Sequence, residues 1–306
     1  MSNKIYDGIM GLVVGDALGV PYEFKARDSF ACNGMTGHGT YDQPPGTWSD
    51  DSSMTLATLD SLVSNGGKIC LDDMMKRFRD WLYNKQYTPH GETFDVGNTT
   101  RLAIARYDVI KNNVYLCGGR KVADNGNGSL MRILPLAFID TSDKDICEVS
   151  SLTHAHHIST TACQIYVAIA NALSHDVYKE DAVFDTLGKY QHLMTGEFAR
   201  LFDIQNLSRE SIQSDGYVVH TLEAALWCFL TTDNYRGCVT KAVNLGSDTD
   251  TTAAVAGGLA GLYYGADSWN GIPEEWKKSI ARTAWIKDLC GAFNDMLEQK
   301  EGQSND

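Results

Sequence analysis

A chain of 306 residues, 43% hydrophobic and 21% charged, with 28 glycines and only 6 prolines, is too apolar to remain disordered. Its length stands at the upper end of what one core organises, so residues 1–306 are read as a single domain with a few floppy residues, Gly302–Asp306, at its end. The net charge of −13 argues against a protein built to grip a nucleic-acid backbone, which needs clustered Lys and Arg. It leaves room for a small anionic ligand, because a local cation reverses the field of an acidic cleft.

In chain order, the first apolar stretch is Ile9–Val14. Asp7 and Asp16 bracket it too closely for a secretory signal, and no run approaches the roughly 18 apolar residues that span a bilayer. No membrane contact and a cytoplasmic location are therefore expected. Gly8, Gly11, Gly15 and Gly19 recur every three or four residues, which predicts a helix face that lets a second backbone come close. A Gly/Pro/Tyr loop, Gly39–Gly46, follows. Met54, Leu56, Ala57, Leu59, Leu62 and Val63 predict a helix from about Ser53 that Gly66-Gly67 stops. Leu71–Leu82 and Thr99–Ile110 read as helices, then Cys117–Gly128 as a Gly/Asn-rich loop. Thr160–Leu173 is again helical. Gly216–His220 is the best alternating pattern and predicts one short strand. Leu222–Leu230, Cys238–Leu245 and Thr251–Tyr264 complete the helices, the last carrying Gly257, Gly258 and Gly261. There is no Gly-x-Gly-x-x-Gly unit and no repeat, so the predicted fold class is all-α and compact. The eight cysteines form no Cys-x-x-Cys pair and read as reduced, mostly buried thiols.

Two acidic clusters sit at helix starts: Trp48-Ser49-Asp50-Asp51-Ser52 and Gly246-Ser247-Asp248-Thr249-Asp250-Thr251. Neighbouring side chains inside a helix diverge by about 100°. At a helix N-terminus the backbone is still turning, and the positive end of the helix dipole favours carboxylates. One capping residue explains one carboxylate, whereas each cluster carries two plus flanking hydroxyls. The residues themselves leave two readings open, a pair of over-furnished caps or an all-oxygen site for Mg²⁺ or Mn²⁺.

Five segments, in order, resemble the motifs of the ADP-ribosylglycohydrolase family, which includes dinitrogenase-reductase-activating and ADP-ribosylarginine hydrolases. They are Gly15–Glu23, Trp48–Met54, Asn127–Arg132, Thr153–His156 and Gly246–Thr251. Serine stands at Ser49 and Ser52 where threonine is usual, a change that keeps the hydroxyl. The resemblance implies a compact orthogonal helical bundle with two Mg²⁺ or Mn²⁺ ions at the bottom of an ADP-ribose cleft. Their implied ligands are Ser49, Asp50, Asp51, Asp248, Asp250 and Thr251. It implies a hydrolase that removes ADP-ribose from a modified side chain, arginine first, with a protein carboxylate completing the acid–base chemistry. Glu23 and Asp95 are the two candidates for that catalytic role.

The implied substrate-binding residues are Gly97, Asn98, Thr99, Asn127, Gly128, Ser129, Met131 and His154. The Asn125–Ser129 loop would offer backbone N–H groups to a diphosphate, and Arg132 would support the loop or pair with the acidic centre. His156 and His157 read as structural, and Tyr22, Trp48 and Tyr264 as core aromatics. The implied partner is an ADP-ribosylated protein or an ADP-ribose-containing small molecule, handled by a monomer or weak oligomer. Alternatives are hydrolysis of a serine O-linked or small-molecule ADP-ribosyl bond, a metal-dependent nucleotide phosphohydrolase using His154 and His156, and a non-catalytic ADP-ribose-binding relative.

Overall fold

A computed structural model describes residues 3–110, 113–194 and 196–304 of the chain. Its α-helices are α1 (Lys4–Gly19), α2 (Asp50–Ser64), α3 (Leu71–Asn84), α4 (Asn98–Val109), α5 (Asp143–Ser151), α6 (His157–Ser174), α7 (Lys179–Tyr190), α8 (Val218–Leu230), α9 (Tyr235–Val243), α10 (Thr249–Tyr264), α11 (Glu274–Ser279) and α12 (Thr283–Ser304). Single 3₁₀ turns fill several connections, among them Asn127–Arg132 and Leu134–Phe138. Among the described residues there is no strand, only isolated bridges such as Gly126 with Tyr217. The all-α expectation is met. Of the expected tail, Gly302–Ser304 continue α12, and Asn305 and Asp306 lie outside the described residues.

Helices α1 and α10 are buried along nearly their whole length, as befits helices that are apolar all round. They run antiparallel and close. A Cβ added to Gly11 would lie 2.4 Å from the Gly257 carbonyl oxygen, one on Gly15 2.1 Å from that of Ala253, and one on Gly261 2.2 Å from that of Asp7. The two glycine rows read from the sequence therefore face each other, and only glycine permits the approach. Tyr235 and Tyr166 lock the pair by donating hydrogen bonds to the carbonyls of Gly11 (2.6 Å) and Val255 (3.0 Å). The antiparallel sense matters for function, because it sets the C-terminal end of α1 beside the N-terminal end of α10.

Helix α2 packs against α1, α3, α10 and α12. It stops where the sequence says: Gly67, at φ +70°, returns its N–H to the Leu62 carbonyl at 2.7 Å, a left-handed cap that favours glycine. Residues Gly216–His220 do not form the expected strand. Val218 opens α8, a helix whose residues face protein on every side, so the apparent alternation reflects burial rather than a pleat. All eight cysteines are free thiols and six are buried. No helix among the described residues is long and apolar enough to cross a membrane.

Candidate active site

The two acidic clusters turn out to be matching devices. Ser49 is the N-cap of α2, with Asp50 and Asp51 in its first turn; Asp248 is the N-cap of α10, with Thr249 and Asp250 in its first turn. Two helix N-termini thus point carboxylates at one spot. Thr251 Oγ1 donates to Asp51 Oδ2 at 3.3 Å across 200 residues of sequence, and Ser49 Oγ donates to the same oxygen at 2.9 Å. Asp50, Asp51 and Asp250 are all buried.

A residue not singled out from the sequence completes the cluster. Asp16 lies on α1, one turn before its end, and is fully buried. It accepts from the backbone N–H of Ser49 (2.9 Å) and Ser52 (3.0 Å) and from the Ser52 hydroxyl (2.5 Å). It thereby ties the start of α2 to α1, and one oxygen from each of the carboxylates of Asp16, Asp51 and Asp250 lies within 4.8 Å of the other two. The available signal was its place in the Gly15–Glu23 motif, as a carboxylate in the apolar second half of α1. Glu23, Asp95 and Asp250 form a second such group, so both catalytic candidates converge on the same centre. Neither group contains a histidine.

The electrostatics of this arrangement are unfavourable for the protein alone. Burial, followed by neighbouring carboxylates, pushes Asp50, Asp51 and Asp250 well above the usual carboxylate range. Burial raises Asp16 to about 6 against the pull of its Ser52 and Ser49 hydrogen bonds. Glu23 is raised to about 9, by burial first and then by Asp95. Four buried carboxylate oxygens, Glu23 Oε2, Asp51 Oδ1, Asp248 Oδ1 and Asp250 Oδ2, have no hydrogen-bond partner among the described residues. Buried unpaired acceptors are costly and uncommon in folded proteins. An all-oxygen set with free lone pairs is what a hard divalent cation requires, so these residues fit the metal that the sequence suggests.

A cavity of about 340 Å³ opens over the cluster. Glu23, Asp50, Asp95, Asp248 and Thr251 line its acidic end, and Gly97, Asn98, Thr99, Asn127, Gly128, Met131 and His154 line the remainder. Of the expected substrate-binding residues only Ser129 is elsewhere: it is fully buried and its hydroxyl accepts from Ser150 at 2.9 Å. Asp95 is not an ordinary helix cap, since Gly97 caps α4. It sits instead at φ 56° and accepts the Tyr41 hydroxyl at 2.7 Å. Asn127 joins the loop to the acidic end, donating from Nδ2 to Asp248 Oδ2 at 2.8 Å.

The wall at His154 is shaped for close approach. A Cβ on Gly128 would stand 2.8 Å from His154 Cε1 and 2.9 Å from Thr100 Oγ1, so a side chain there would fill the cradle. Arg132 supports this wall from behind rather than meeting the acidic centre. It is fully buried, with its guanidinium 4.6 Å over the Phe78 ring, and donates to the Val149 carbonyl and to Thr153 Oγ1 (2.9 Å). Thr153 Oγ1 lies 2.8 Å from His154 Nδ1. Thr153 Oγ1 therefore links the Arg132 guanidinium to the His154 ring. Burial, reinforced by the Arg132 charge, pushes His154 down to about 3, keeping the ring neutral. His156 is structural, as expected: its Nδ1 accepts the Ile158 N–H at the start of α6 and meets Asn125. Trp48 is core, and neither Tyr22 nor Tyr264 lines the cavity.

Comparison with known proteins agrees with this geometry. The chain matches the ADP-ribosylglycohydrolase family over residues 1–305. It is 31% identical to the ADP-ribosylarginine hydrolase Tri1 of Serratia proteamaculans, over 98% of this chain and 81% of that protein. It is also 31% identical to the ADP-ribosyl-[dinitrogen reductase] glycohydrolase of Rhodospirillum rubrum, over 91% and 90% respectively. A solved structure described as an ADP-ribosylglycohydrolase-related protein complex superposes with a TM-score of 0.81 at 26% identity, covering 96% of this chain and 98% of that one. With fold, motifs and site converging, the chain belongs to the ADP-ribosylglycohydrolase family.

Proposed function

We propose that this protein removes ADP-ribose from ADP-ribosylated arginine on a modified protein, using Mg²⁺ or Mn²⁺ held by Ser49, Asp50, Asp51, Asp248, Asp250 and Thr251. The observation that carries the reading is the meeting of two helix starts, 200 residues apart, with unpartnered carboxylate oxygens at the acidic end of a cavity. The names of the Serratia and Rhodospirillum relatives support the ADP-ribosyl bond, and the former supports arginine. Asp16 adds a carboxylate and holds α2 in register with α1.

Cations bound there supply Lewis acidity and offset the charge of the cluster. The chain's own residues do the rest. We assign the proton of the neutral His154 to Nε2, with Nδ1 facing the Thr153 hydroxyl, so that the ring offers a donor to an anionic group in the cavity without the cost of a buried charge. The backbone around Gly126–Gly128 allows that group to come close. Asn127 keeps this loop in register with Asp248. Tyr41 orients Asp95 beside Glu23, and these two carboxyl groups provide the acid–base pair for cleavage of the glycosidic bond.

The test is a panel of defined linkages, ADP-ribosyl-arginine and ADP-ribosyl-serine peptides, offered to chelator-treated protein with and without Mg²⁺ or Mn²⁺. Intact ADP-ribose should leave the arginine peptide, and only when the cation is present. Release of AMP or phosphate would make the protein a phosphohydrolase. Binding of ADP-ribose without turnover of any linkage would make it a non-catalytic relative.

A further inference from the structure

Beside Glu23, the chain holds a bulky residue in a costly conformation. Phe24 adopts φ 63°, a left-handed conformation that bulky residues rarely enter, and it leaves 71% of its surface in contact with solvent. The strain is imposed from outside. The Phe24 N–H donates to the Ser247 carbonyl at 2.7 Å, and the Ser247 N–H donates to the Lys25 carbonyl at 2.9 Å, so this segment is paired with the loop that carries Asp248. Arg27 fastens the same segment by donating to the carbonyls of Leu245, Arg209 and Ile212 at 2.6–2.8 Å. The result is that Phe24 is held on the wall of the cavity that Glu23 and Asp50 also line.

The ring has aromatic backing and an anionic setting. Phe24 meets Tyr41 edge-on at 6.5 Å between centroids, and Tyr41 meets Phe94 at 4.9 Å. Tyr41 is the residue whose hydroxyl orients Asp95, so the aromatic row and the acid–base pair share a member. Among the described residues no lysine or arginine lines the cavity, whereas Glu23, Asp50, Asp95 and Asp248 do. An aromatic face in a field of carboxylates attracts a planar cation, above all a guanidinium.

Building on the function proposed above, we infer that Phe24 is a specificity-determining residue that stacks on the guanidinium of the modified arginine and so selects the leaving group. The ADP-ribose half of the substrate is gripped by the other wall and gains nothing from the ring.

The experiment compares wild type with Phe24→Leu, Phe24→Gly and Phe24→Trp in the metal-loaded enzyme. Glycine suits the left-handed backbone, so Phe24→Gly remains informative even where leucine disturbs folding. Turnover of an ADP-ribosyl-arginine peptide is measured as kcat/KM, and affinity for free ADP-ribose by calorimetry. The leucine and glycine variants should lose roughly 3- to 30-fold in kcat/KM with ADP-ribose affinity unchanged, and Phe24→Trp should keep wild-type kcat/KM or better. Unchanged kcat/KM in both ring-less variants would overturn the inference while leaving the proposed reaction standing. An equal loss of ADP-ribose affinity would also overturn it, assigning the ring to the adenine or ribose. A wild-type enzyme that cleaves no arginine linkage would remove both.

Discussion

The same two helices, α1 and α10, carry the tightest apolar seam in the molecule at one end and its most strained electrostatics at the other. Along the seam, Gly11, Gly15, Gly257 and Gly261 give up side chains so that backbones can touch. At the far end, Asp16, Asp51 and Asp250 are held within 4.8 Å of one another against their mutual repulsion. The seam is where the chain gains stability, and the acidic end is where it sets stability aside for function. The close approach enforces the crowding, since helices kept apart by alanines would not bring Asp16 on α1 against Asp250 on α10.

That contrast can be broken from either end. The largest expected effect comes from Asp51→Asn or Asp250→Asn. Turnover should fall by at least about 10²- to 10³-fold, while the thermal midpoint of the metal-free protein stays level or rises, because one of several clustered charges is gone. A variant of normal activity would detach the cluster from catalysis. At the other end, Gly11→Ala should destabilise by about 1–3 kcal/mol through overpacking, read as a lower midpoint, with activity per folded molecule retained. Gly19→Ala sharpens the comparison, because its Cβ would fall 2.4 Å from the Asp250 Cα; it should lower both stability and kcat. If Gly11→Ala and Gly19→Ala behaved alike, the separation of seam and site would be wrong. The smallest effect is expected from Thr153→Val, which removes the hydroxyl between Arg132 and His154. Loss of the preferred tautomer should raise KM by roughly 5- to 10-fold, the worth of one hydrogen bond. Imidazole ¹⁵N shifts of His154 should report the change.

The seam was legible in the sequence because glycine periodicity inside an apolar helix has few other causes. The helices α3 and α4 were legible within a residue or two for the same reason, an apolar stripe at helical spacing. The metal-type cluster was legible because paired acids at a helix start exceed what capping needs. What stayed hidden depends on contacts between distant segments. Asp16 looks like an ordinary position of α1 until Ser49 and Ser52 are seen donating to it. Phe24 and Tyr41 carry no pattern, since only the pairing of Phe24 with Ser247 fixes the ring at the cavity. The strand expected at Gly216–His220 failed because the stretch straddles the start of α8, with only Val218 and Val219 buried, and five residues are too few to separate a helix from a strand by periodicity.

The central claim is that two distant helix starts form one cation site, and titration of Mn²⁺ or Mg²⁺ into chelator-treated protein tests it most directly. Saturable binding should appear together with a rise of the thermal midpoint. Both should be lost in Asp51→Asn and in Asp250→Asn alike, although these residues belong to different helices. Wild type that binds no divalent ion, or variants that bind it as well as wild type, would contradict the account.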